Sequence, residues 1–421
     1  MESTEFSDLS LQITKQIGKE EKKVFGIFIT PGSITNKLFE SIDKHRTTSN
    51  VEIRTILEPS CGSCELVYAC DKYFNNVKID GVEWNDTIYE AIQSLAFVNE
   101  TSLIHADFIK MDFHGKRYDL IVGNPPYCVC EKGYKLDESF QPYIVGRPNT
   151  FGLFLLKAIS LLNDRGILAF IISKSCLNAA YYAKIRNHLK ETCHILEILN
   201  FEGNGQFLDT EQATIGLILQ KKGLEMSPKS KRAKPEDLCK YSVLIGENYI
   251  FTPDSATLRS ILSGATTLRQ MGLRVRTGSV VWNQVKELLT LEASDTMLIY
   301  NTNITVEHTV EAKTFSNAEK KQYIQGLKGK TAEVLVVNRG NGNSKYKLHY
   351  ALIGGGHGLT YLVENHLNEI YYEEGVANGS QLLACVIQSF KNSKTQLFID
   401  FYLGNNGLSK TELETIFPIY L

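Results

Sequence analysis

No stretch of the 421-residue chain approaches 18 consecutive apolar residues, so no membrane-spanning helix is expected. The opening segment, MESTEFSDLSLQITKQIGKEEKK, lacks an apolar h-region, and no secretory signal is read there. Ten prolines and 31 glycines are too few for a low-complexity or fibrous chain. Neither charge is in excess. The net charge of −2 excludes a polycation but leaves room for a local basic face that could hold a nucleic acid. The nine cysteines form no regular framework, and Cys176, Cys193 and Cys385 lie in apolar runs. Free buried thiols in a reducing cytosol are therefore expected, and with them a cytoplasmic protein. Internal repeats and a nuclease motif block are also missing, so DNA cleavage by this chain is not expected.

What remains is an ordinary globular composition, 43% hydrophobic and 22% charged, in a chain long enough for two domains. From about residue 50 to 220 short apolar runs alternate with helix-period stretches: TIL, VKIDGV, SLIHA, YDLIV, ILAFIIS, ILEILNF and TIGLILQ. That alternation predicts a doubly wound, mainly parallel α/β sheet covered on both faces. Phe151, Phe154, Leu155, Ala158, Ile159 and Leu162 mark one helix face, stopped by Asn163-Asp164-Arg165-Gly166. Thr30-Pro31 ahead of Ile34, Leu38 and Ile42 reads as an N-capped helix with proline at its first position. Residues 221–240 are polar and basic and read as a linker. Residues 241–421 are expected to form an α+β domain, with SVLI, EVLVV and QLFIDFYL as strand-like runs.

Four segments carry chemistry. LEPSCGSCEL (57–66) follows a strand but has neither GxGxxG nor GK[ST], so it resembles neither a dinucleotide loop nor a phosphate loop. Glu83 closes a second strand, where a carboxylate can bind ribose hydroxyls, and Trp84 offers a flat face to a purine. Alone, that pair reads equally well as a surface acid beside a core tryptophan. Asp107, after a third strand, can accept from an exocyclic amine. The fourth strand runs into Asn124-Pro125-Pro126-Tyr127. Two prolines lock that turn, so the Asn124 side chain and the Pro125 carbonyl can converge as two acceptors for one amino group, with Tyr127 beside them to stack on a base.

With these motifs in this order the chain resembles the gamma-class, TaqI-type DNA N6-adenine methyltransferases, which use S-adenosylmethionine (SAM). The resemblance covers residues 22–220. It implies a SAM-dependent methyltransferase sheet of seven strands with an antiparallel edge, and it makes 1–220 the catalytic domain. Phe25-Gly26-Ile27-Phe28-Ile29-Thr30-Pro31 is similar to the first cofactor block, and Thr30 is taken from it as a cofactor residue. By the same resemblance Glu58, Pro59, Ser60 and Cys61 contact SAM, Glu83 and Trp84 hold its ribose and adenine, and Asp107 and Phe108 read the adenine. Pro126 touches the cofactor, and Phe154 covers the other adenine face. Asn124, Pro125 and Tyr127 are the catalytic set, and Phe207 joins Tyr127 in gripping the target base. The family usually has glycine where this chain has Cys64, whose side chain must either crowd the cofactor or point into the protein. The Cys61/Cys64 pair has no second CxxC or nearby histidine, so no metal is expected.

More loosely, Val275-Arg276-Thr277-Gly278-Ser279-Val280-Val281-Trp282 is similar to a block near the start of the family's C-terminal target-recognition domains. Thr277 and Gly278 would let the backbone approach a DNA phosphate, and Arg274, Arg276, Arg339, Lys345 and Lys347 are further candidate DNA contacts. The resemblance implies a monomeric modification enzyme acting on double-stranded DNA, with no membrane association and with a separate restriction endonuclease acting on the same site. Methylation of a protein glutamine amide, methylation of an RNA adenine, and a non-catalytic DNA-binding protein are the alternatives.

Overall fold

In a computed structural model the chain is described over residues 6–18, 29–201, 213–223, 240–340, 346–356, 359–376, 378–403 and 407–421. It divides into two compact units, Met1–Leu244 with Asn248–Ser255, and Ile245–Glu247 with Ala256–Leu421.

The first unit is built from α1 (Asp8–Gln16), α2 (Gly32–Thr48), β1 (Thr55–Glu58), α3 (Glu65–Tyr73), β2 (Lys78–Glu83), α4 (Asp86–Ile92), β3 (Glu100–His105), β4 (Tyr118–Gly123), α5 (Thr150–Leu161), β5 (Leu162–Ser173), α6 (Ala183–Thr192), β6 (Cys193–Asn200) and β7 (Thr214–Lys221). All seven apolar runs are strands. They form one sheet in the order β3-β2-β1-β4-β5-β7-β6. The first five are parallel neighbours, and β7 runs antiparallel to both β5 and the edge strand β6.

Alternate residues of each central strand feed two cores, one on each face. Leu57, Ile121, Leu168, Phe170 and Ile172 join the core under α5. Ile56, Leu120, Val122, Ile167, Ala169 and Ile171 join the core under α2 and α3. This two-sided burial is why the strands read as continuous apolar runs.

The start of α2 differs from expectation. Pro31, not Thr30, is the N-cap residue, with its carbonyl accepting from the Ile34 and Thr35 amides at 3.1 and 3.0 Å. Thr30 is one position outside the helix, which releases its hydroxyl for another partner.

After β7 the chain resumes at residue 240 with a hairpin, β8 (Ser242–Ile245) and β9 (Asn248–Phe251). The fully buried Arg186 of α6 donates to the Tyr249 carbonyl at 2.5 Å and to the Ala179 and Cys176 carbonyls at 2.8 and 3.1 Å. Asn187 accepts from the Tyr249 amide at 3.0 Å. Residues 240–244 and 248–255 thus pack with the first unit, beyond the boundary expected at 241. Most of the expected linker, 224–239, lies outside the described residues.

The second unit is α+β. Strands Arg274–Thr277, Leu367–Tyr371, Val334–Asn338 and Tyr350–Ile353 form an antiparallel sheet in that order. A second sheet joins Leu289–Thr290, Tyr323–Ile324, Thr296–Ile299 and Tyr361–Val363. QLFIDFYL is not a strand. It lies almost wholly within the helix Ser393–Tyr402, where the Asn392 side chain caps the Lys394 amide and Phe398, Ile399 and Tyr402 form the buried face. A short apolar run does not by itself distinguish helix from strand, and here the cap decides. Cys176 and Cys193 are buried as expected, but Cys385 is exposed on the helix Gly379–Phe390. Among the described residues no helix is long and apolar enough to cross a membrane.

Candidate active site

The carboxyl ends of parallel strands leave backbone groups and loop side chains facing one crevice. Glu58 and Glu83 are the last residues of β1 and β2, Asp107 follows β3, and Asn124 follows β4. These ends converge on a cavity of about 1060 Å³. Thr30, Glu58, Pro59, Ser60, Cys61, Glu83, Trp84, Asp107, Phe108, Asn124, Pro126, Tyr127 and Phe154 all line it. Pro125 is not among its lining residues, and Phe207, with Phe25 to Phe28, lies outside the described residues.

The acids differ in their surroundings. Glu58 is 1% exposed, and neither carboxylate oxygen has a partner in hydrogen-bonding geometry among the described residues. Burial pushes its carboxyl well above the usual range, Cys64 and Glu83 add to the shift, and the nearby Ser60 and Asn124 amides offset it in part. The close approach of Glu58 to β4 depends on Gly123, where a Cβ would stand 3.1 Å from Glu58 Oε1. Glu83 accepts from the Gly62 amide at 2.9 Å and the Asn85 amide at 2.8 Å, one on each oxygen, while burial raises its pKa. Each of its oxygens keeps acceptor capacity for a hydroxyl.

Trp84 is 56% exposed, which answers the open alternative: it is not a core tryptophan. Asp107 accepts from the Ile109 amide at 3.0 Å and pairs with Lys110 at 3.0 Å. Phe108 is buried, its ring 4.8 Å from that of Phe154. Cys64 takes a left-handed φ of 65° at the start of α3 and is fully buried in the core under α2 and α3, away from the cavity lining. Of the two outcomes open for its side chain, it points into the protein.

At the NPPY turn the Asn124 amide is gripped from both sides. Its Nδ2 donates to Thr30 Oγ1 at 3.1 Å, and the Tyr127 hydroxyl lies 2.5 Å from its Oδ1 and 2.8 Å from the Ile171 carbonyl. Burial raises the Tyr127 pKa well above the usual phenol range, so the hydroxyl stays protonated. Thr30, expected to contact the cofactor, lines the cavity and holds the Asn124 amide.

Sequence reasoning missed two walls of the cavity. One is α1, whose Ile13 lines it and whose Ser10 meets Ser63 of the cofactor loop at 2.7 Å. The stripe Leu9, Ile13, Ile17 behind the Ser7 cap was the available signal. The other is the loop after NPPY, where Cys128, Val129, Cys130, Glu131 and Tyr134 face the cavity. Cys128 Sγ lies 2.9 Å from Thr150 Oγ1.

The second-unit candidates do not gather. Arg276 is committed to Glu369, which is 0% exposed and also held by Lys330, at 2.7 and 2.8 Å. Gly278 is required by its own fold: a Cβ there would lie 2.1 Å from the Glu364 carbonyl oxygen, so its close approach is to backbone rather than to a phosphate. Arg274 donates to the Leu273 carbonyl at 3.2 Å, and Arg339 to the Asn365 carbonyl at 2.8 Å. Thr277 is half-buried at a strand end, Lys347 is exposed, and Lys345 lies outside the described residues.

Residues 2–207 match the Eco57I restriction-modification methylase family. The chain is 26% identical over 421 residues, covering 99% of both chains, to the type II methyltransferase M.CvrRI of Paramecium bursaria Chlorella virus XZ-6E. It is 32% identical over 223 residues to the modification methylase CviBIII of Paramecium bursaria Chlorella virus NC1A, covering 52% of this chain and 56% of that one. A release factor glutamine methyltransferase of Flavobacterium psychrophilum is 26% identical over 178 residues, covering 41% of this chain and 61% of that one. The family match and the full-length relative together support a DNA methyltransferase of the restriction-modification kind.

Proposed function

We propose that this methyltransferase moves the methyl group of SAM to N6 of an adenine flipped out of duplex DNA, as the modification partner of a separate restriction endonuclease. The observation that carries the reading is the doubly held Asn124 amide at the edge of a cavity ringed by Glu58, Glu83 and Asp107.

The residues present fit the cofactor. The unpartnered Glu58 carboxylate suits an ammonium group, Glu83 suits vicinal hydroxyls, Trp84 and Phe154 suit the faces of a purine, and Asp107 would accept from its amino group. When bound, SAM supplies an electrophilic methyl on a sulfonium that departs as a neutral thioether. Thr30 fixes which end of the Asn124 amide faces the substrate. Asn124 Oδ1 and the Pro125 carbonyl accept hydrogen bonds from the amino group of the target, which localises the nitrogen lone pair for in-line attack, and the methylated nitrogen, cationic at first, then releases one proton to water. Holding Asn124 before substrate arrives lowers the ordering cost of that geometry. Tyr127 stacks on the extruded base, the role the family resemblance also gives Phe207, and this offsets part of the unstacking cost, a few kcal/mol. In this reading the protein is a monomer, the first unit is catalytic and the second recognises the target sequence.

The glutamine-methylating relative supports a second reading, transfer to a protein amide. It matches only 41% of this chain, whereas the type II methyltransferase matches both units. Tritiated SAM offered in parallel with duplex DNA, RNA and cell protein separates the readings. Label recovered as N6-methyladenine from DNA is the expected result; label confined to protein or RNA refutes the proposal.

A further inference from the structure

The turn that carries Asp107 is a single helical turn, and its two ends are satisfied differently. At its start the Asp107 carboxylate accepts from the Ile109 amide, and the Asp107 carbonyl accepts from the Lys110 and Met111 amides at 3.0 and 2.9 Å. At its far end the carbonyls of Ile109 and Met111 have no helix to continue into, and free carbonyls there would need another donor. Lys157, one turn beyond Phe154 on α5, supplies it. Its Nζ donates to the Ile109 carbonyl at 2.8 Å and to the Met111 carbonyl at 2.7 Å. The same ammonium lies 5.4 Å from the centre of the Phe108 ring and 5.5 Å from that of Phe113. Lysine side chains can cap terminal carbonyls in this way, and a charged donor makes the stronger bond.

We propose that Lys157 is a positioning residue for cofactor selection: by clamping the Asp107–Met111 turn onto α5 it holds the Asp107 carboxylate where it reads the amino group of the cofactor's adenine. The inference rests on the SAM reading above. Lys157 does not line the cavity, so it acts through the turn. Beyond the Ile109 amide of its own turn, the Asp107 carboxylate pairs with Lys110, which is 72% exposed, and such a pair adds little rigidity. The clamp also accounts for a half-buried lysine in a wall that is otherwise aromatic. Burial lowers its pKa, and Asp107, Asp112 and Asp137 oppose that shift.

The test is calorimetric titration with S-adenosylhomocysteine and with S-inosylhomocysteine, whose base carries a carbonyl in place of the amino group. It uses the full-length protein and its Lys157→Met and Lys157→Arg variants. Wild type should prefer the adenine compound. Lys157→Met keeps the apolar stem, and it should bind that compound about tenfold more weakly, with little change for the inosine compound. Its preference should therefore collapse. Lys157→Arg, which can still donate to both carbonyls, should restore most of it. In turnover, Lys157→Met should raise KM for SAM and leave kcat at saturation within about twofold. A lysine that only stabilises the fold would weaken both compounds equally and lower Tm, and an unchanged preference ratio would overturn the inference. Failure of wild type to bind S-adenosylhomocysteine at all would instead overturn the SAM reading beneath it.

Discussion

The hairpin at residues 240–251 makes a quantitative claim about where the first unit ends. A fragment stopping at Gly223 keeps all seven strands and every cavity residue, yet it discards the Tyr249 carbonyl that the Arg186 guanidinium uses at 2.5 Å. It also discards the Tyr249 amide bound to Asn187 and the Phe251 side chain, 1% exposed in the core under α5. A hydrogen bond from a buried charged donor is worth about 1.5–3 kcal/mol, and burial of a phenylalanine about 1.5–3 kcal/mol. Together the loss is about 3–6 kcal/mol, a large part of the 5–15 kcal/mol that typically holds a domain folded. Fragments 1–223 and 1–255 should therefore differ sharply in urea denaturation. With an m-value of about 2 kcal/mol per molar, the midpoint of the longer one should lie about 1.5–3 M higher. Binding of S-adenosylhomocysteine should accompany only the fragment that is folded at the assay temperature. Equal midpoints would show that the hairpin and the Arg186 contacts add nothing to the first unit, and would refute this accounting.

Four further outcomes follow from the cavity and from the second unit. Asn124→Ala should abolish single-turnover methylation of duplex DNA while leaving cofactor affinity within a few-fold. Thr30→Val should lower kcat about tenfold and Thr30→Ser should recover it, since one hydrogen bond to the amide is worth about 1 kcal/mol or somewhat more; equal rates for the Val and Ser variants would remove Thr30 from the orienting role. Burial holds the Glu58 carboxyl above its usual range, so binding a cation beside it should lower its pKa and expel a proton. Affinity for SAM should then rise with pH up to that raised value and level off above it, with a binding enthalpy that depends on buffer ionisation heat. Glu58→Gln should show no such dependence. In the second unit, Glu369→Gln removes the buried carboxylate but leaves Arg276 and Lys330 partly solvated, so it should destabilise by about 1.5–3 kcal/mol, the worth of charged hydrogen bonds, read as a drop in Tm of the full chain.

The sequence by itself determined the seven strands, their two-sided burial and the four strand ends that carry Glu58, Glu83, Asp107 and Asn124. Each of these is encoded locally, by an apolar run of fixed length, a proline pair or an acid next to a strand terminus. It also held enough of a stripe in Leu9, Ile13 and Ile17 to mark α1, although nothing local said that α1 would face the cofactor loop. The partners were decided only in three dimensions. Thr30 and Asn124 are 94 residues apart, Arg186 and Tyr249 are 63 apart, and Lys157 reaches carbonyls 46 and 48 residues back. Such pairs depend on the order in which strands assemble, which no local window contains. The same reason separates the candidates in the second unit. Arg276 is a free charge in the sequence and an ion-pair partner of buried Glu369 in the fold, and Gly278 is a permissive residue in the sequence and a required close approach to the Glu364 backbone in the fold. Charge and glycine are local facts, but whether they are spent inside the fold is settled by what packs against them.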